Sequence, residues 1–531
     1  MTALPLKASL GLTAVAVLLL SGCSAPAETA GGDAEIRVAI AEPDHLTPAN
    51  HYEAYEVVMS TFSSLTALDE NEELEYLQAE SVESEDAVTW TITLRDGWTF
   101  HNGEAVTAES YVNAWNFAAD PANAQVNSGQ LKNIVGYAEM NPAEGETASA
   151  TELTGLTVVD DLTFTVELIN ADRQFPLQLT PGQTGLYPLP EAAFDDPEGF
   201  DRMPIGNGPF MLSEAWVANQ EIELVPFEDY EGPEPTVDGI TFVPYLDTTI
   251  AYTDALAGTV DIVAISGDQI TRAEADFGEN FHALDAPGVD LLGFPSDDPR
   301  FADKRVRQAI SMAIDREAIN DAIFGGAQIP ATSLTSPSMP GDPTGICGEY
   351  CEFDPEAAQA LLAEAGGFEG TMELLFIGGW GQEDLFAAYA NQIRQNLGLE
   401  DVVATPASDF AAFTDRVATG EVAGPFRARW GALYPSQQDT LHSLYTADGD
   451  GNFGTGGYSN PEVDALLAEA DAADTIEETY EGYRAAQERI LEDFPVVPTF
   501  GNRYLYVTSD RIEKLYSVSG SPLFSRTEVA A

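Results

Sequence analysis

Segments whose apolar residues recur at every second position alternate along this chain with segments whose apolar residues recur at every third or fourth, and this restricts the fold more than any other feature. EIRVAIAEP (Glu35 to Pro43) has the first pattern and stops at a proline, and HYEAYEVVMSTFSSL follows with the second. VTWTITLRDGWTF (Val88 to Phe100) alternates again, with β-branched and aromatic residues. It leads into HNGEAVTAESYVNAWNFAAD, a turn and then a helix whose N-cap is expected at Thr107. LTFTVELI (Leu162 to Ile169) is a third strand pattern, and the Pro-, Gly- and Asp-rich stretch from Asp195 to Gly208 marks a boundary. Beyond it QEIELVPF and GITFVPYL read as sheet, and TTIAYTDALAGTVDIVAI as a helix, a glycine and a strand. Helical periods then dominate, in DKRVRQAISMAIDREAINDAIF, DPEAAQALLAEAG, EDLFAAYANQIRQNLG and NPEVDALLAEADAAD. Two of these open with an N-cap residue and a proline, Asp354-Pro355 and Asn460-Pro461; the proline lacks only a donor that would be unpaired there. The class is therefore α/β. A chain of 531 residues is too long for one core, so two or three domains are expected.

The charge is as one-sided as the pattern is regular. The chain has 22 basic and 88 acidic residues, a net charge of −66, and only four lysines. A protein that binds nucleic acid by neutralising phosphates needs a basic face, so that class is excluded. Nor is such a surface drawn to anionic lipid. Exposed charge of this density repels itself, and salt screens it beyond about 10 Å at 0.1 M. We read the composition as adaptation to a saline setting.

The first residues set the compartment. Lys7 precedes SLGLTAVAVLLL (Ser9 to Leu20), too short to span a bilayer but long enough for the core of a signal peptide. LSGC (Leu20 to Cys23) follows and resembles a bacterial lipobox, which implies cleavage after residue 22, acylation of Cys23 and attachment to the outer face of the cell membrane. Two or more acyl chains anchor stably where one binds marginally. The alternative is an ordinary secretory signal. SAPAETAGG (Ser24 to Gly32) has the small, polar composition of a tether. The remaining cysteines, Cys347 and Cys351, are expected to form a local disulfide in an oxidising compartment. A metal site would need two further ligands, and the histidines, His45, His51, His101, His282 and His442, are scattered. Neither a metal nor another cofactor is expected.

Catalytic motifs are lacking. GNGPF (Gly206 to Phe210) has neither the spacing nor the lysine of a phosphate loop, and no G-x-S-x-G or H-E-x-x-H occurs. Acid pairs such as Asp160-Asp161 and Asp297-Asp298 are expected by chance in so acidic a chain.

The order of TWTITLRDGWTFHNGEAVTAE, PIGNGPF, ALAGTVDIV, VRQAISMAIDREAI and NPEVDALLAEA resembles that of the extracytoplasmic solute-binding proteins of family 5, receptors of ABC importers for oligopeptides, dipeptides and nickel. The resemblance covers nearly all of the mature chain. It implies a two-lobed, type II periplasmic-binding-protein-like fold that closes over ligand, with an extra domain in the N-terminal lobe and no catalysis. The implied division places the signal peptide at residues 1–22 and the tether at 23–33. Residues 34–45, 182–264 and 490–531 form the core of lobe I, 46–181 the extra domain and 265–489 lobe II. Asp261 to Ile265 and Phe494 to Phe500 are the implied crossing segments. Arg305 and Arg307 are expected to pair with surface acids, and Trp90 and Trp98 to be core.

RARWGALYPS (Arg427 to Ser436) matches the stretch that lines the cleft of peptide-binding members. The resemblance puts Arg427 against a peptide's C-terminal carboxylate, which an arginine fork suits. Trp430 and Tyr434 would be apolar walls with polar tips, and Arg429 is a second candidate. Leu433 stands where the family holds an aspartate for the peptide's α-ammonium. An unpaired ammonium in a closed cleft costs several kcal/mol. Three outcomes remain: another acid, Glu42 or Asp439, takes over; Gln437 and Gln438 supply dipoles; or the ligand has no free amine. The competing reading of the stretch is a packed strand whose arginines pair with neighbouring acids. The expected function is capture of peptides or peptide-like solutes for a permease by a monomer. A receptor for an oligosaccharide, opine, siderophore or metal chelate, a secreted hydrolase and a sensory lipoprotein are the alternatives.

Overall fold

The computed structural model describes residues 34–530 apart from 52, 54, 70, 144, 183, 184, 267, 268, 448 and 450; Cys23 and the tether lie outside the described residues. Two long strands, Phe281–Gly293 and Val497–Thr508, pair antiparallel at the centre of a large mixed sheet. On one side of them lie Ile262–Ala264, Glu35–Ile40, Gly239–Pro244, Ile222–Pro226 and Phe210–Leu212, and on the other Phe426–Gly431, Met372–Ile377 and Val402–Ala407. The sheet thus has one half in each of two lobes, joined through the long pair. Residues 281–285 face 503–507 and residues 289–292 face 497–501, with the register broken between. Pro287 cannot donate to a ladder, and a Cβ at Gly288 would overlap the Asn502 side chain, so both residues suit the break. Phe494 to Phe500 leads into one crossing strand. Its partner is Phe281–Gly293; Ile262–Ala264 is a short neighbour. The Pro287-Gly288 interruption hides the long strand from a search for alternation.

Lobe I carries a further antiparallel sheet, Ala79–Glu83, Thr89–Leu94, Thr163–Glu167 and Leu156–Asp160 in spatial order. The helix Ala108–Ala119, with Thr107 at its N-cap, covers it. Trp90, Trp98, Tyr111, Trp115 and Phe164 fill the core between them. In PIGNGPF, a Cβ on Gly206 or Gly208 would overlap the Thr61 carbonyl, and buried Asn207 exchanges hydrogen bonds with the Ser63 backbone. That motif packs a turn against a helix end.

In lobe II the helices Pro355–Glu364 and Pro461–Asp471 start at Asp354 and Asn460, whose side chains accept from Ala357 N and Glu462 N. Arg305 pairs with Asp303 (closest approach 2.6 Å), whereas Arg307 donates to the Phe494 and Asp493 carbonyls at 2.7 and 2.6 Å. Both serve the scaffold, one of them through the backbone rather than an acid. Arg316 is buried and donates to the carbonyls of Pro498, Ser311, Ile314 and Cys351, tying its helix to a crossing strand. Cys347 and Cys351 are joined by a disulfide, their Cα atoms 5.6 Å apart. Among the described residues no helix is long and apolar enough to cross a membrane.

Candidate functional site

The strand Phe426–Gly431 runs beside Phe281–Gly293, with Arg429 opposite Asp290. Period two divides it: Phe426 and Ala428 are buried on one face, while Arg427 and Arg429 share the other. After Gly431 the chain leaves the sheet and enters the helix Gln437–Tyr445, whose N-cap Ser436 accepts from Gln438 N. Where this connection passes lobe I, a cavity of about 480 Å³ opens. Its lobe II wall includes Arg429, Leu433 and Tyr434; its lobe I wall includes Glu56 of the helix Tyr55–Thr61 and Tyr504 of a crossing strand. That size is typical of a small-ligand site, and the space between two lobes is where such sites form.

The sequence-predicted site residues divide. Arg429, Leu433 and Tyr434 line the cavity. Arg429 Nε stands 3.7 Å from Asp290, which also accepts from Asn502 at 2.8 Å. Tyr434 donates to Gln438 Oε1 at 2.9 Å. Arg427 lies further along the same strand face, its guanidinium 5.7 Å from the centre of the Trp380 ring. Trp380 is 55% exposed and stacks on Phe410. Arg427 Nε is buried without an acceptor, and burial pulls the guanidinium pKa down against the attraction of Asp290. Among the described residues no acid pairs with Arg427, unlike in the packed-strand reading.

Trp430 points away from the cavity and donates from Nε1 to Asp439 Oδ2 at 2.6 Å, and Leu433 N donates to the same oxygen at 3.1 Å. Burial pushes the Asp439 carboxyl up to about 6 despite these donors. Glu42 receives the Asn219 N–H at 3.0 and 3.1 Å and does not line the cavity. Both acids considered as substitutes for the missing aspartate are therefore already engaged. Gln437 donates to the Pro340 carbonyl and accepts from Gln487.

Gln438 instead joins the lobes. Its amide donates to Asp172 at 2.9 Å and to Asp471 at 3.0 Å. Asp172 also accepts from Gln178, and Asp471 accepts from Tyr483 and meets His442 Nε2 at 2.8 Å. Arg173 donates from its backbone and side chain to the carbonyls of Asp471 and Ala473. Burial, and then the charge of Asp471, push the Asp172 carboxyl up to about 6. Burial pulls His442 down, but its bond to Asp471 outweighs this and its pKa is raised.

Glu56 was not singled out by the sequence analysis. It sits in the cavity wall, and among the described residues no side chain donates to its carboxylate or pairs with it. Burial pushes this carboxyl up, against the bond from its own backbone. No local pattern distinguishes it from the other acids. Among the described residues no His, Cys, Asp and Glu side chains cluster as metal ligands.

Two lobes sharing a sheet, with a cavity between them, define a binding protein of the periplasmic type. The chain belongs to the bacterial extracellular solute-binding proteins, family 5, whose model matches residues 73–452. These are binding proteins rather than enzymes. The chain is 26% identical over 509 residues to the periplasmic murein peptide-binding protein MppA of Escherichia coli, covering 92% of this chain and 90% of that one. It is also 26% identical over 475 residues to the probable deoxycholate-binding periplasmic protein YgiS of the same species, covering 86% of each. The unliganded open form of the murein tripeptide-binding protein MppA has the same fold, with a TM-score of 0.79 at 23% identity, covering 93% of this chain and 97% of that one.

Proposed function

We propose that this chain captures peptides or peptide-like solutes between its lobes and delivers them to an ABC permease, as a monomer held at the outer face of the cell membrane through acylated Cys23, and that it catalyses no reaction. The observation that carries the ligand class is the mixed charge of the cleft. Arg429 and Glu56 line one cavity, and Arg427, without an acid, lies on the same strand face. A solute with one sign of charge, such as a bile acid, meets only one of Arg429 and Glu56; a peptide with free ends meets both, with Arg427 outside the cavity's lining. The names of peptide-binding relatives support the same reading. Arg427 would meet an anionic end and Arg429 assist it, while Leu433 and Tyr434 form wall. Trp430 would act through Asp439, and Glu42 would shape the lobe I loop that includes Asn219. Lobe I would comprise residues 34–45, 182–264 and 490–531 around the extra domain 46–181, with 265–489 as lobe II.

The test is thermal shift of the mature chain at high salt against peptides of two to five residues, sugars, bile acids and metal chelates. A bound solute stabilises by RT ln(1 + [L]/Kd), about 2.7 kcal/mol at a hundredfold over Kd. Peptides shifting the midpoint while the others do not is the expected result. A shift by sugars, bile acids or chelates alone would remove the peptide assignment.

A further inference from the structure

We infer that the Glu56 carboxylate receives the cationic end of the solute, so that recognition of a free amine, which an aspartate at the position of Leu433 would supply from lobe II, comes here from lobe I. The inference rests on the cleft being the solute site and names the chemical class that enters it: solutes carrying a primary ammonium group, peptides with a free N-terminus above all.

Four other acids around the cleft are occupied. Asp439 is held by Trp430 and Leu433 N, and Asp290 by Asn502 and Arg429. Glu72 accepts from the Ser519 backbone and hydroxyl, and Glu42 from Asn219. Glu75, also in the wall, lies on a strand whose residues are exposed to water. Glu56 differs from all of these: it is part-buried, faces the cavity and has no side-chain partner among the described residues.

Its surroundings suit an ammonium. Tyr55, Tyr504 and Phe524 line the same cavity, and aromatic faces attract a cation when water is displaced. The Tyr55 hydroxyl is tied to Ser521 Oγ at 2.9 Å, which orients that ring. A Cβ built at Gly431 would stand 3.9 Å from the Tyr504 hydroxyl, so the wall that holds Glu56 continues to the strand that carries Arg429. Closure around a solute without a cation would leave the Glu56 charge desolvated and unpaired, which is costly; an ammonium removes that cost by supplying the missing donors. Leu433 then needs no charge, because the amine is met from the opposite wall.

The experiment is isothermal titration of the mature chain with tri-, tetra- and pentaalanine and with the N-acetylated twin of each, for wild type and Glu56→Gln. Wild type is expected to bind the free peptides and to lose about ten- to a hundredfold on acetylation, the worth of a charged hydrogen bond. Glu56→Gln is expected to lose a similar factor for free peptides and less than about threefold for acetylated ones. If Glu56→Gln binds free peptides within about threefold of wild type, or if wild type does not discriminate against acetylation, the Glu56 assignment falls and peptide capture stands. If wild type binds neither twin, both fall. Should Glu56→Gln bind neither twin, Glu56→Asp decides: a retained preference for the free amine supports the carboxylate, and a lost one overturns it.

Discussion

Arg316 and Arg427 are both arginines of lobe II drawn out of water, and they are provided for in opposite ways. Arg316 is 4% exposed, and its donors go to the carbonyls of Pro498, Ser311, Ile314 and Cys351 and to Ser311 Oγ. Burial pulls its pKa down to about 10, and the carbonyl cage replaces the lost hydration. Arg427 has the Trp380 ring on one side, a buried Nε with no acceptor, and no acid to pair with among the described residues. A desolvated group whose hydrogen bonds the chain completes is structural. One left incomplete costs stability, and beside a ligand cleft that cost is recoverable only when something else binds. Glu56 and Asp439 repeat the contrast among acids: Asp439 is held by Trp430 and Leu433 N, whereas no side chain among the described residues pairs with Glu56.

Removal of the Arg316 cage tests the structural side and should have the largest effect. Arg316→Met leaves buried carbonyls without donors and detaches the helix Arg316–Phe324 from the strand Val497–Thr508. We expect a loss of about 3–5 kcal/mol in urea unfolding. A loss below about 1 kcal/mol would mean that water fills the cage, and burial would no longer identify scaffold.

Titration of the buried acids comes next. The Asp172 and Asp439 carboxyls are raised from 3.8 to about 6 in the folded chain. The stability linked to their protonation is therefore full below pH 3.8 and lost as pH rises through about 6. His442 is also raised and acts in the same direction. The thermal midpoint should rise on acidification from about pH 7.5 to 5.5, each acid contributing on the order of 1 kcal/mol over that range. Asp439→Asn should flatten part of that slope, because an amide oxygen still accepts from Trp430 and Leu433 without titrating. A midpoint that falls over this range, or an unchanged slope in the variant, would place the titrating groups elsewhere.

Much of the scaffold was legible because its causes are local. The caps at Thr107, Asp354 and Asn460 follow from residues adjacent in the chain, and the strand and helix periods from their own repeats. The longest strand, Phe281–Gly293, was missed where Pro287 and Gly288 break its period, although that break serves the join between the lobes. The site was only half legible. RARWGALYPS could be expected at the cleft because a contiguous stretch resembles the family's cleft segment, and Arg429, Leu433 and Tyr434 of it line the cavity. Whether an arginine or an acid already has a partner depends on residues far away in sequence. Asp439 was a candidate and Glu56 was not, yet Trp430 holds Asp439 while among the described residues no side chain pairs with Glu56.

The smallest effect on stability, and the sharpest test of the contrast, is expected at Arg427. With no acceptor to orphan, Arg427→Met should change the unfolding free energy by less than about 1 kcal/mol, and a thioether in place of a desolvated charge can raise it. Binding should behave oppositely. Free-acid peptides should lose about tenfold or more in affinity, the worth of a charge-assisted hydrogen bond, while their C-terminal amides lose little. The two twins measured on both proteins form a cycle that isolates the contact between Arg427 and the carboxylate from any change in the wall. If the variant unfolds as readily as Arg316→Met, or binds acid and amide twins within about threefold of wild type, Arg427 belongs with the scaffold arginines and the anionic end of the solute must be met by Arg429.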